Sequence, residues 1–304
     1  MPELPEVETI KNDLKKRILR KKIIGVEIRG KKIVNPIRDK SLNGARNKPA
    51  GFTKILQGNS FHTINRIGKL LIFELADKKN FLLIHLKMTG QLIYCGKGEI
   101  VAGGHEAGGE EKKIPGVGEA LPNKHTRLIF SFQGGVKLFF NDLRKFGYAK
   151  IVNEKELEKI KGEYGPEPLT KRFTLAAFRK ILEGKNAPIK AILLNQGLIA
   201  GIGNIYADEA LFEARIRPSR PGRSLSTREK EALFKAINYL LKKAIKYRGT
   251  TFSNYVDAAG KRGNFTKLLK VYHREGDKCK RCGAVIKKVR VAGRGTRFCE
   301  KCQK

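Results

Sequence analysis

The chain has 304 residues, 40% of them hydrophobic, and carries 64 Lys and Arg against 29 Asp and Glu, a formal charge of +35. That composition supplies a core and excludes a disordered chain. No apolar run approaches the ~18 residues of a bilayer span, and no hydrophobic leader precedes the first helix. The expectation is therefore a cytoplasmic, nucleoid-associated protein with no membrane partner. An excess of cations this large repels itself unless something anionic neutralises it, and nucleic acid is the leading candidate.

The chain opens MPELPEVETI, and Val7, Ile10, Leu14 and Ile18 then recur at helical spacing. This is an amphipathic helix. Pro5 suits its first turn, where a missing N–H costs little, and Glu6 and Glu8 suit the positive end of the helix dipole. From about residue 23 to 152 the texture changes to short β-branched and aromatic runs such as LLIFEL, FLLIHL, TRLIFSF and VKLFFNDL. They predict a β-sandwich or barrel. The glycine-rich stretch 96–123 interrupts them and predicts a surface loop. Cys95, in QLIYC, reads as a small buried residue.

Residues 153–168 form a connector ending in GPEP, followed by segments of 3.6-residue periodicity, among them LAAFRKILEG, NIYADEALFEA and TREKEALFKAINYLL. These predict a helical domain over 169–273. Between two of its helices lies NQGLIAGIGN, with Asn204 placed to cap the second. Glycines bare the backbone N–H groups at such a helix start, which favours a phosphate oxygen there. Residues 274–304 form a separate tail. Cys279-x2-Cys282, sixteen intervening residues and Cys299-x2-Cys302 bring four thiolates to one tetrahedral ion on a β-hairpin. Zinc is the expected metal, one ion, structural and closed to water. Arg294, between two glycines, and Arg297 suit phosphate contacts on that hairpin.

Six motifs in order carry a resemblance over nearly the whole chain: PELPEVE, IGKLL around Lys69, HLKMTG around Met88, NDLRKFG around Arg144, GIGNIYADEALF around Asn204, and GRGTRFCEKCQK. Together they resemble the formamidopyrimidine-DNA glycosylases, which excise oxidised purines from double-stranded DNA and then cleave the abasic strand. The resemblance implies an α+β chain of two domains. An N-terminal β-sandwich with its N-terminal helix would span 1–152, and a helix-two-turns-helix domain and a four-cysteine zinc finger would follow. It also implies that the protein works as a monomer. Removal of Met1 would free the secondary amine of Pro2 as nucleophile, with Glu3 as acid/base group and Glu6 nearby. Lys69 matches a proton donor in β-elimination, and Arg294 matches the residue assisting δ-elimination. Met88, Arg144 and Phe146 match the residues that fill the gap left by the extruded nucleotide; apolar periodicity alone would place Met88 and Phe146 in the core. His125, Lys190 and Asn204 match phosphate contacts, and Asn186 stands where a basic phosphate contact is common. The polar segment 250–262 matches one that closes over the flipped base.

Several positions depart from the family pattern: Lys87 for a glycine, Thr126 for an acid, Arg127 for a histidine, Asn195 for an acid, Arg217 for a histidine, and the longer 96–123 stretch. Two other readings remain at this level. One is the related endonuclease VIII branch, acting on oxidised pyrimidines, and the other is a non-catalytic zinc-ribbon nucleic-acid-binding protein. The second accounts for the charge and the cysteines but not for a proline at position 2 followed by glutamate.

Overall fold

Val7, Ile10, Leu14 and Ile18 are all buried along α1 (Leu4–Ile18) in the computed structural model, which describes residues 1–34, 45–96, 98–104, 121–250 and 264–304. The chain divides into two units, Met1–Lys161 with Arg248–Asn264, and Gly162–Tyr247 with Phe265–Lys304.

In the first unit, α1 is followed by β1 (Ile23–Ile28), α2 (Pro49–Leu56), β2 (Phe61–Ile67), β3 (Leu70–Leu75), β4 (Asn80–His85), β5 (Gly90–Gly96), β6 (Glu99–Gly104), β7 (Thr126–Phe132), β8 (Val136–Asp142), β9 (Tyr148–Asn153) and α3 (Glu154–Gly162). The strands form a five-stranded sheet, β1-β7-β8-β5-β6, and a four-stranded sheet, β2-β3-β4-β9. Both are antiparallel throughout. Alternation along the strands sorts the side chains: Leu128, Phe130 and Phe132 of β7 enter the main core, while Ile129 joins Ile93 and Phe139 in a separate cluster. Phe61 joins the two sheets. Its ring lies 5.0 Å from Phe73 in its own sheet and 6.3 and 6.0 Å from Phe130 and Phe132 in the other.

The predicted surface loop over 96–123 is partly a strand. EIVAGG forms β6 and pairs with β5, Cys95 opposite Ile100. A β-branched pair beside an open sheet edge outweighed the glycines around it. The rest of that stretch, 105–120, lies outside the described residues. Cys95 is half-buried rather than enclosed. The first part of the predicted connector is helical: KELEKIK lies in α3, capped by Asn153, which exchanges hydrogen bonds with Glu156 at 2.7 and 2.9 Å.

The second unit holds α4 (Leu175–Leu182), α5 (Ile189–Leu194), α6 (Asn204–Glu213) and α7 (Thr227–Lys246), then the hairpin β10 (Ile286–Val291) and β11 (Arg294–Cys299). Ser226 and Glu229 form a capping box that starts α7, and Thr174 caps α4. Eight consecutive residues of α6, Ile205 to Phe212, are buried. A helix enclosed on all sides has no solvent face for its acids, so Asp208 and Glu209 must find partners within the fold.

Truncating Phe61 to alanine is expected to destabilise the first unit by about 3–5 kcal/mol, because its ring contacts both sheets. Chemical denaturation of the full chain measures this; a loss below 1 kcal/mol would show that the sheets do not depend on it.

Candidate active site and metal centre

Glu3 and Glu6 start α1 as a capping box, with the Glu3 N–H donating to Glu6 Oε2 at 2.8 Å. Pro2 and Glu3 are buried. The α-amino group of Met1 is held below its ordinary value of 8.0, chiefly by burial. Glu3 and Glu6 oppose that shift, and Lys69 and Arg144 reinforce it. These four side chains, from the start of α1, the β2–β3 turn and the loop after β8, therefore lie within electrostatic reach of the Met1 amine. Lys69 is buried, not a surface lysine between strands. Its turn is tied to α1 by Arg66, which donates to Gly68 O at 2.8 Å and to Glu8 Oε2 at 3.0 Å. Burial works against the Glu8 charge, but Lys11 and Arg66 outweigh it and hold the carboxyl below its usual range.

Glu6 does more than favour a helix start. Its Oε1 accepts the Thr250 N–H at 2.7 Å and the Thr250 hydroxyl at 3.1 Å. Gly249 sits so close that a Cβ there would meet Glu6 Oε1 at 2.6 Å. Arg248 pairs with Asp13 at 2.6 Å. Segment 248–250 is thus strapped along α1, while the polar segment that follows, 251–263, lies outside the described residues.

Met88 and Phe146 project into solvent, 38% and 58% exposed, so the apolar-periodicity reading of them as core fails. Each sits in a loop between strands, where no strand alternation directs it inward. Arg144 is exposed beside Met88, its Nη1 3.6 Å from Sδ. His125, just before β7, is half-buried, and its carbonyl accepts the Asp142 N–H at 2.9 Å. His85, within HLKMTG, escaped the sequence reading. Its Nδ1 accepts the Lys87 N–H at 2.9 Å, which leaves Nε2 as the protonated nitrogen. Burial, with Lys87 and Lys69 adding, pushes it down to about 3, so it stays a neutral donor among cations. The residue pattern held no signal for it, because the left-handed turn at Lys87 (φ 51°) that accompanies this bond appears only in the structure.

In the second unit the structure corrects three readings. Lys190, matched to a phosphate contact, has no exposed surface. Its Nζ pairs with Asp208 at 2.6 Å and bonds Thr296 Oγ1 at 2.8 Å and Gly295 O at 3.2 Å. Burial pushes Asp208 up to about 6, although Lys190 and the Arg297 N–H favour its charge. Asn204 is not the cap of α6; Gly203 is. The Asn204 amide instead donates to Gly295 O at 3.0 Å, and its Oδ1 is buried without a partner. Arg297, read as a phosphate contact, is buried against Glu275 in a two-toothed pair at 3.1 and 3.0 Å, its guanidinium 4.8 Å from the Tyr272 ring. That pair draws Glu275 down to about 2. Arg294 alone of the two remains exposed, at the turn of the hairpin behind Gly293 (φ 73°). Asn186 is exposed between α4 and α5.

The four cysteine sulfurs lie within 4.8 Å of one another, Cys279 to Cys302 at 4.0 Å and Cys282 to Cys299 at 3.4 Å. Thiolates on a tetrahedral zinc stand about 3.8 Å apart, so the set fits that ion. All positions are filled by sulfur, which makes the zinc structural. Glu209 anchors the approach to it, accepting the N–H groups of Lys270, Val271 and Tyr272.

Residues 1–149 match the formamidopyrimidine-DNA glycosylase N-terminal domain, 164–256 the H2TH domain of the same enzymes, and 276–304 a zinc finger found in FPG and IleRS. The formamidopyrimidine-DNA glycosylase of Pelotomaculum thermopropionicum is 40% identical, covering 100% of this chain and 99% of that protein. That of Carboxydothermus hydrogenoformans is 40% identical over the whole of both. The Lactococcus lactis Fpg bound to abasic-site DNA superposes with a TM-score of 0.83 at 34% identity, over 99% of each chain. The same enzyme bound to N7-benzyl-Fapy-dG DNA matches at 0.83 and 34%, over 100% of each.

Removing one member of the Lys190–Asp208 pair leaves a buried charge alone. Lys190→Met is expected to destabilise the protein by about 3–5 kcal/mol, and adding Asp208→Leu to recover most of it. Denaturation of both variants tests this; equal losses would show that the ion pair is not the joint.

Proposed function

The chain belongs to the formamidopyrimidine-DNA glycosylase family, and on that premise we propose that it excises oxidised purines from double-stranded DNA with the N-terminal amine as nucleophile, then cleaves the abasic strand. It works in base-excision repair, as a monomer, on DNA in the cytoplasm. One observation carries the reading: Pro2 and Glu3 are buried at the start of α1, where Glu3, Glu6, Lys69 and Arg144 all act on the Met1 amine that precedes Pro2. A non-catalytic DNA binder has no use for a proline enclosed among such groups.

Removal of Met1 makes the Pro2 nitrogen the terminal amine. In its neutral form this nitrogen attacks the sugar C1′, and the bond from C1′ to the base breaks. The departing base and the sugar O4′ each need a proton as they leave carbon. Glu3, next to the nucleophile and buried, is the acid/base group for those transfers. Opening of the sugar leaves an iminium on the proline. A secondary amine has no second N–H to lose, so the iminium stays cationic and draws electrons from the C2′ position. The 3′ phosphate then leaves by β-elimination and the 5′ phosphate by δ-elimination. Lys69 serves the first and Arg294 the second, the former supported by its burial among the groups around the amine. Met88, Arg144 and Phe146 occupy the vacated stack, a role supported by their exposure and by the Arg144–Met88 contact. His85 adds a neutral N–H donor suited to a phosphate oxygen. Lys190 and Asn204 act through the finger, holding the strand that carries Arg294.

Borohydride reduction on an 8-oxoguanine duplex is expected to trap a covalent adduct that maps to Pro2. Absence of an adduct, from protein that lacks Met1 and binds the duplex, would favour a non-catalytic binder. The amine must be neutral to attack, so activity should rise with pH through the amine's pKa. A single-turnover rate that falls as pH rises through neutrality would contradict an amine nucleophile.

A further inference from the structure

The two loops that carry the exposed wedges meet at a buried hydroxyl and a buried carboxylate. Thr89 follows Met88, and Asp142 ends β8 two residues before Arg144. The sheet places them side by side, since Gly90 pairs with Asp142. Thr89 Oγ1 donates to Asp142 Oδ1 at 2.5 Å and accepts the Arg144 N–H at 3.0 Å. The other carboxylate oxygen accepts the Gly147 N–H at 2.7 Å. The Asp142 carbonyl accepts from Arg127 Nε at 3.1 Å. Thr89 is 5% exposed and Asp142 0%.

This geometry ties the loops at three points: behind Met88, at the backbone of Arg144, and at Gly147, which closes the loop holding Phe146. A hydrogen bond to a buried carboxylate is charge-assisted and strengthened by its dry surroundings. The backbone is packed to match. A Cβ at Gly147 would meet Phe140 Cζ at 2.8 Å and Asp142 Oδ2 at 3.1 Å, and one at Gly90 would meet Leu86 O at 2.4 Å. Each loop also holds one non-glycine residue in the left-handed region, Lys87 at φ 51° and Lys145 at φ 58°. Such conformations persist where surrounding bonds over-determine them.

We propose that Thr89 and Asp142 are positioning residues that hold Met88 at a set distance from Arg144 and Phe146, and so govern the step in which the damaged nucleotide leaves the stack. The proposal rests on the wedge reading of those three residues. With the hydroxyl gone, each loop moves separately, and the three side chains no longer enter one gap together. The chemistry at C1′ is untouched, because neither Thr89 nor Asp142 supplies a proton or a nucleophile.

The test compares two substrates in single turnover: an 8-oxoguanine duplex, from which a stacked base must be extruded, and a preformed abasic site, which has no base to unstack. Thr89→Val keeps the shape and removes the hydroxyl. It should lower excision relative to abasic-site cleavage by about tenfold, the loss expected for one hydrogen bond to a charged group. Thr89→Ser should restore the ratio. A general loss of structure would lower both reactions together and would not be rescued by serine. An unchanged ratio in folded Thr89→Val overturns the proposal. Should that variant fail to fold, Asp142→Asn is judged by the same ratio. Wild-type protein that cleaves neither substrate would overturn the glycosylase reading itself, and this proposal with it.

Discussion

Carboxylates withdrawn from water organise this protein. A buried carboxylate without donors costs several kcal/mol, so wherever the fold encloses one it must also deliver N–H or O–H groups to it. Asp142 collects Thr89 and Gly147, Asp208 collects Lys190 and the Arg297 N–H, and Glu209 collects three successive backbone N–H groups. Apart from the Gly147 bond, which closes a loop of five residues, these bonds join segments far apart in sequence. Each therefore fixes a loop or hairpin that side-chain packing alone would leave free to shift.

The charge imbalance takes on a division of labour. With 29 acids to 64 bases, acids are scarce, and many of them act as internal joints. Glu6 holds Thr250, Asp13 holds Arg248, Glu8 holds Arg66, and Glu275 holds Arg297. These contacts lie close to the residues proposed for the chemistry. Glu6 and Glu8 stand on the helix that follows Pro2, and the Glu275–Arg297 pair stands on the strand that begins with Arg294. Most other bases have no acid to neutralise them, and the repulsion among them is relieved when phosphates approach.

The metal site and the joints around it work at different ranges. Four thiolates on one ion close the hairpin upon itself. They do not aim it. Aim comes from Lys190, Asp208, Asn204 and Glu209, which grip the strand and the segment leading into it from α5 and α6. Lys190 and Asn204 thus hold the strand that begins with Arg294, although neither presents its polar group to solvent as a surface contact would.

Much was legible before any fold was known. Period-2 and period-3.6 patterns separated the sandwich from the helices, and the cysteine spacing predicted the metal. The motif order pointed to Pro2, Glu3 and Lys69. The misreadings share one cause. Sequence reports that a side chain is apolar or cationic, but not which way its loop or strand turns it. Met88 and Phe146 looked like core and stand in solvent; Lys190 and Arg297 looked like surface cations and are enclosed. Asn204 looked like a cap, yet its amide crosses to the finger, because Gly203 already supplies the extended backbone that a cap needs. Local periodicity and ligand spacing are properties of neighbouring residues, so the sequence determined by itself most of the elements and the four zinc ligands. Burial and pairing depend on residues as much as 244 positions away, so only the tertiary structure decided which charges hold the fold and which remain for DNA.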